Sequence, residues 1–212
     1  MSTSSPSREK SNTTRKASRG QSFIEAMVAI TVLITSIASA LALVQSSITA
    51  SRIGGAQIVA ANLAREGLEV VRSVRDSNWL RSQSFQVGLI DGSGNKTARP
   101  ILDLEDGTWS LSFAATSFSN PNSAVYLTTS GAFVQADTQP PGSTVTPYSR
   151  AVGIQHLCRD LSTGVERIVA DTSTCLVSEQ LVGLAVASHV RYQSVGGNFR
   201  ILTVEERLYD WR

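Results

Sequence analysis

Hydrophobic and polar positions fall into three regimes along the chain. From 23 to 44 the sequence reads FIEAMVAITVLITSIASALALV, apolar except for Glu25 and a few hydroxyls. About 22 residues at a 1.5 Å rise make roughly 33 Å of helix, enough to cross the hydrocarbon core of a bilayer. From 56 to 76 the pattern becomes amphipathic. Val59, Leu63, Val70 and Val74 recur at helical spacing, with Leu68 and Val71 adjoining the stripe. Arg65/Glu69 and Arg72/Asp76 place opposite charges four residues apart, the spacing of helix ion pairs. Gly54 and Gly55 sit between the two stretches and lower helix propensity by roughly 1–2 kcal/mol, which predicts a kink or weak spot.

After Trp79 the period drops to two. Segments 85–90, 108–114, 124–128, 132–135, 148–155 and 165–170 are predicted strands. Turn-rich sequence separates them at 91–95, at 119–122 and at 138–147, the last with three prolines. The clearest hairpin joins 189–195 to 199–208 through Gly196-Gly197-Asn198. The predicted class is therefore α+β: a long N-terminal helix over 21–78, membrane-spanning at about 23–44, and a β-rich domain over 79–212.

Charge changes the picture at one end. Arg8, Lys10, Arg15, Lys16 and Arg19 stand against Glu9 alone, a local balance of about +4, in a Ser/Thr-rich leader without apolar periodicity. The rest of the chain is slightly acidic, and Lys96 is its one lysine. A basic leader before the apolar run places the N-terminus in the cytoplasm and the β-rich part outside. The acidic body has no basic stripe for a phosphate backbone, so no nucleic-acid partner is expected. Cys158 and Cys175, with no C-x-x-C spacing, permit one disulfide if that half is exported, or stay free thiols.

The junction of leader and apolar run, Arg19-Gly20-Gln21-Ser22-Phe23-Ile24-Glu25, holds the most specific chemistry. A secretory signal is cut after its apolar segment; here the small residue precedes it. Glu25 is a carboxylate inside the apolar run, costly without a partner, and the helix dipole favours it if it lies in the first turn. The stretch GQSFIEAMVAITVLI resembles the cleavage and methylation segment of type IV prepilins and type II secretion pseudopilins. The resemblance implies cutting between Gly20 and Gln21 by a prepilin peptidase, N-methylation of Gln21, and filament assembly through Phe23 and Glu25. Glu25 would be the fifth mature residue, pairing with a neighbour's Gln21 ammonium. The family usually has phenylalanine at the first mature position, where this chain has Gln21. The run LAREGLE at 63–69, RSVRDSNW at 72–79 and the closing LYDWR at 208–212 are similar to accessory (minor) pilins, which points to that group.

Other constellations carry less. His156, Cys158, Cys175 and His189 are metal-ligand types, but a two-residue step without a knuckle is poor zinc spacing, so no metal is expected. No nucleophile–base or carboxylate pair stands out, so neither a catalytic residue nor a cofactor is expected, and the chain reads as a non-enzyme. Trp79, Trp109 and Trp211 read as packing residues, and Asn95-Lys96-Thr97 as a chance sequon. The expected partners are the membrane, prepilin peptidase, the inner-membrane pilus assembly platform and other pilin subunits through helix–helix packing. The expected location is the inner membrane before assembly and a surface pilus or periplasmic pseudopilus afterwards. A secretion pseudopilin and a non-polymerising anchored adhesion module are the two alternatives.

Overall fold

The computed structural model describes residues 19–91, 97–103, 106–114, 117–118, 121–169, 174–194 and 196–210, with 19–21 as backbone alone. One helix, α1, covers Arg19–Leu80. Eight strands follow among the described residues: β1 (Thr97–Leu102), β2 (Trp109–Ser112), β3 (Ala124–Leu127), β4 (Phe133–Val134), β5 (Thr144–Asp160), β6 (Glu166–Ile168), β7 (Glu179–Gln193) and β8 (Phe199–Tyr209). Every pairing is antiparallel, so the class is α+β.

The chain divides into two compact units, Met1–Ile48 and Thr49–Arg212, and the division falls inside α1. In the first unit every described side chain from Ser22 to Ile48 is exposed. Four of the hydroxyls here are already satisfied. Thr31 donates to Met27 O (2.6 Å), Thr35 to Thr31 O (2.9 Å), Ser36 to Val32 O (2.6 Å) and Ser39 to Thr35 O (2.8 Å). Such bonds to the preceding turn leave the surface of this segment apolar in practice as well as in composition.

The second unit is organised on β5. One of its edges pairs with β7 from Tyr148↔Tyr192 to Asp160↔Glu179, and β8 continues the sheet beyond β7. The other edge carries three short strands in series: β3 with β4, then β1 with β2, then β6. Alternation puts Val152, Ile154, Leu184, Val186, Val190 and Tyr192 on the face that α1 covers. From the helix, Leu68, Val71 and Trp79 join Val152, Ile154, Leu184, Val186 and Leu208 in one cluster, with Phe85 and Leu89. Ala60, Leu63 and Ala64 join Val125, Val190 and Tyr192 in the other. Each fully buried Leu or Val contributes about 1.5–3 kcal/mol before ordering entropy.

Two glycines make close approach feasible. A Cβ on Gly67 would stand 2.5 Å from Ser188 Oγ and 3.2 Å from Val152 Cγ2, so α1 can lie this near the sheet only without one. Gly183 sits where the β5–β7 register shifts, and a Cβ there would run into Leu208 O of β8.

Several expectations need correction. Segment 85–90 is not a strand but a set of turns. Phe85 and Leu89, four residues apart, both reach the core, and Asn78 Nδ2 donates to Val87 O at 2.7 Å. β1 was not anticipated because Pro100 interrupts it; that strand pairs with β5 only at Thr97 and Ala98. The turn assigned to 138–147 ends earlier, since β5 begins at Thr144 and carries Pro147 next to a register shift against β3. β7 begins ten residues before the predicted 189, at Glu179. The terminal hairpin turn is as read: Gly196 and Gly197 have φ of 90° and 83°, and Ser194 N donates to Asn198 O at 2.8 Å. At Gly54-Gly55 the helix continues without interruption.

Candidate assembly and anchoring segment

The residues singled out at the start of α1 lie in helical backbone. Gly20 and Gln21 are described as backbone only, and 1–18 lie outside the described residues. Because α1 begins no later than Arg19, Glu25 lies beyond its first turn. The helix dipole fades within one turn, so the expected favour from it does not reach this carboxylate in full. Glu25 is exposed and has no ion-pair partner among the described residues. Around it Phe23 is 68% exposed, and Ile24, Met27 and Val28 are each more than half exposed. Continuing to Val44 and Ile48, the segment offers a large apolar surface that no other described residue of its own unit covers. Helix Ser22–Leu80 contains an 18-residue window long and apolar enough to cross a membrane, and none of that window is buried. A carboxylate left in hydrocarbon is costly unless a cation meets it or the headgroup region hydrates it.

The second unit holds α1 on the sheet by charge as well as by apolar packing. Arg72 donates to both oxygens of Glu206 on β8 (2.6 and 2.7 Å) and to Glu69 (2.5 Å), and these carboxylates push its pKa up. The predicted Arg72/Asp76 pair is not the one made, because Asp76 takes Arg75 at 2.9 Å. Arg150 on β5 is fully buried. Its Nε donates to Gln135 Oε1 (2.8 Å), and one terminal nitrogen donates to Leu63 O (3.1 Å) and Glu66 (2.7 Å). Burial pulls the Arg150 pKa down, and Glu66 opposes that shift. Arg99 is likewise enclosed, donating to Asn122 O at 3.0 Å and pairing with Asp137. Neither buried arginine was singled out from sequence. Parity was the available signal for one of them: Arg150 falls on the same strand face as Val152 and Ile154.

The four residues of metal-ligand type, His156, Cys158, Cys175 and His189, are otherwise engaged. Cys158 and Cys175 form a disulfide with Cα atoms 5.6 Å apart, which removes both sulfurs as thiolate donors. The acidic side chain near them is Glu179. Arg167 binds that carboxylate through two bonds (2.9 and 2.7 Å) and lowers its pKa, and Leu176 N adds a third bond. His156 meets Gln86 Oε1 at 3.3 Å. His189 meets Thr203 Oγ1 at 2.9 Å and sits five ladder positions away, opposite Ala151. Trp79 is buried beneath the Arg75 guanidinium (4.5 Å to the ring), while Trp109 is half-buried on β2. Trp211, Asn95 and Lys96 lie outside the described residues.

Comparison with protein-family models, curated proteins and solved structures finds no match to this chain.

Proposed function

We propose that the chain is a filament subunit of the type IV pilin kind, most simply an accessory one, with a pilin-like fold. A prepilin peptidase would remove the leader at Gly20/Gln21 and methylate the Gln21 amine. The apolar half of α1 would hold the subunit in the membrane, N-terminus inside, until an assembly platform moves it into a helical fibre core. The observation that carries the proposal is the wholly exposed apolar segment 22–48 with Glu25 seated in it, directly after the Gly20-Gln21 junction. Copies of one helix packing on one another would cover that surface. The Glu25 carboxylate of one copy would then meet the Gln21 ammonium of the next, each offsetting the desolvation of the other. A contact of this kind is heterologous and does not close on itself, which yields a fibre. The Thr49–Arg212 unit would form the fibre's outer layer.

Mass spectrometry of the chain recovered from its native membranes tests the processing step. The expected N-terminus is N-methyl-Gln21; an intact leader, or a cut beyond the apolar segment, sinks the proposal. Glu25→Ala tests the pairing: processing should persist while incorporation into sheared fibres drops. A chain that is processed normally, yet never sediments with fibres in wild-type form, would instead be a membrane-anchored module.

A further inference from the structure

We propose that a cleft at the C-terminal end of α1 binds a single sugar ring bearing a carboxylate. The cleft holds about 280 Å³ and lies within the Thr49–Arg212 unit, between the end of α1 and residues 107–109. Ser73 and Ser77, four residues apart on one face of α1, and Arg81, just past the helix end, line one side; Thr108 and Trp109 line the other. Its size falls just below the usual range of ligand cavities, about 300–1,000 Å³, so it suits one ring and not a chain of them.

The chemistry of the lining sets the ligand class. Thr31, Thr35, Ser36 and Ser39 spend their hydroxyls on the preceding turn of α1. Ser73 and Ser77, on the same helix, make no such bond, and the Thr108 hydroxyl and the Arg81 guanidinium also have no partner among the described residues. Asn78, the remaining polar side chain at the cleft, is already committed to the carbonyls of Phe85 (3.4 Å) and Val87 (2.7 Å). Three hydroxyls and one fork of N–H donors, those of Ser73, Thr108 and Arg81 open to water, thus line the same cleft as a half-buried indole that the Leu102↔Trp109 pairing holds in β2. A purely apolar guest would strand those hydroxyls, and a small inorganic anion would leave the indole face bare. A pyranose has an apolar C–H face for the indole and a rim of hydroxyls for Ser73, Ser77 and Thr108. A carboxylate on the ring gives Arg81 its two-pronged acceptor. Neighbouring Cβ atoms on the helix face are about 6 Å apart, roughly the breadth of one such ring. Ser73 and Ser77 sit on a long helix and Trp109 on a paired strand, so little ordering of these three is left for binding to supply. This site does not depend on whether the chain assembles into fibres.

Saturation-transfer NMR on the full chain tests it, using a zwitterionic detergent because sugar-headed detergents would compete. The probes are methyl glucuronoside and methyl glucoside. Transfer to the glucuronoside ring protons is expected at a dissociation constant of about 1 mM, with weaker transfer to the glucoside. Ser77→Ala, at a helix surface position, should weaken binding about fivefold, and Arg81→Gln about tenfold with loss of the preference for the acid. Trp109→Ala should abolish transfer, while Trp109→Phe keeps an aromatic face and part of the signal. Circular dichroism checks that each variant is folded. Absence of transfer from the folded wild-type chain, equal binding of both glycosides, or indifference to Ser77→Ala and Arg81→Gln would overturn the assignment.

Discussion

Replacing Gly67 with alanine tests how closely α1 is pressed onto the sheet. The added Cβ would lie 2.5 Å from Ser188 Oγ and 3.2 Å from Val152 Cγ2. Ordinary carbon contacts begin near about 3.5 Å, so the first approach is about 1 Å too short and the second only a few tenths. Overpacking of this kind costs about 1–3 kcal/mol, and the first contact argues for the upper end. Alanine returns about 1 kcal/mol of helix propensity, leaving Gly67→Ala about 2 kcal/mol less stable. Ser188→Ala removes the obstructing atom. The Ser188 hydroxyl is buried without a hydrogen-bond partner, so that change alone should stabilise by about 1 kcal/mol. In the Ser188→Ala background the nearest atoms are Val152 Cγ2 at 3.2 Å and the residue-188 Cβ at 3.4 Å, and Gly67→Ala should become nearly neutral. The coupling energy is then about 2 kcal/mol. Urea unfolding of the full chain in micelles, followed by tryptophan fluorescence, measures all four corners of the cycle. At a slope of about 1–3 kcal/mol per molar urea, Gly67→Ala should lower the midpoint by about 1 M with an unchanged slope. If Gly67→Ala is as stable as wild type, or loses as much with Ser188→Ala as without it, the close-approach reasoning is wrong.

Three further outcomes follow from the same structure. Gly54→Ala with Gly55→Ala introduces Cβ atoms that meet nothing within 4 Å, so each should add about 1 kcal/mol of helix stability. Amide exchange should slow around these positions while the urea midpoint of the sheet unit stays put; unchanged exchange would show that the pair is no weak point. Changing both Cys158 and Cys175 to serine opens a loop of sequence separation 17 and should cost about 3 kcal/mol, seen as a lower unfolding midpoint that dithiothreitol no longer affects. Equal midpoints for the variant and the oxidised chain would refute this. Burial lowers the His189 pKa from its ordinary 6.5 despite the opposing Glu205 charge, so the folded chain prefers neutral imidazole. Its contribution is complete above about pH 6.5 and is lost as pH falls through the lower folded value. His189→Gln should flatten that part of the stability profile, and a profile identical to wild type would refute the assignment.

The helical half of the molecule was legible because its signal is local. Leu63, Leu68, Val70 and Val71 repeat at helical spacing and are buried where that spacing places them. The sheet was legible only where alternation is clean, as in 148–155 and β8. Pro147 reads as part of a turn and Pro100 falls outside every predicted strand, yet both sit in strands at places where the ladder is sparse or shifts register. The first half of β7 escaped notice because Ala185 and Ala187 on one face interrupt the contrast with Leu184 and Val186 on the other. Phe85 and Leu89 were misassigned since two core residues four apart fit a tight set of turns as well as an irregular strand. Arg72–Glu206 is separated by 134 positions, and no pattern in a single sequence pairs residues so distant. For the anchoring segment, Gly20 and Glu25 were evident as a motif. What the structure adds is that every described side chain from Ser22 to Ile48 is exposed.

The back-bonded hydroxyls of Thr31, Thr35, Ser36 and Ser39 have a consequence for partitioning. Each lone donor is already engaged inside its own helix. An acyl chain and a neighbouring leucine are therefore equivalent solvents for this stretch, and exchanging one for the other breaks no hydrogen bond. Sliding or rotating the segment within either environment meets no polar catch until Glu25 is reached. The segment is in this respect indifferent to which hydrocarbon surrounds it, and its single carboxylate is left to supply the preference.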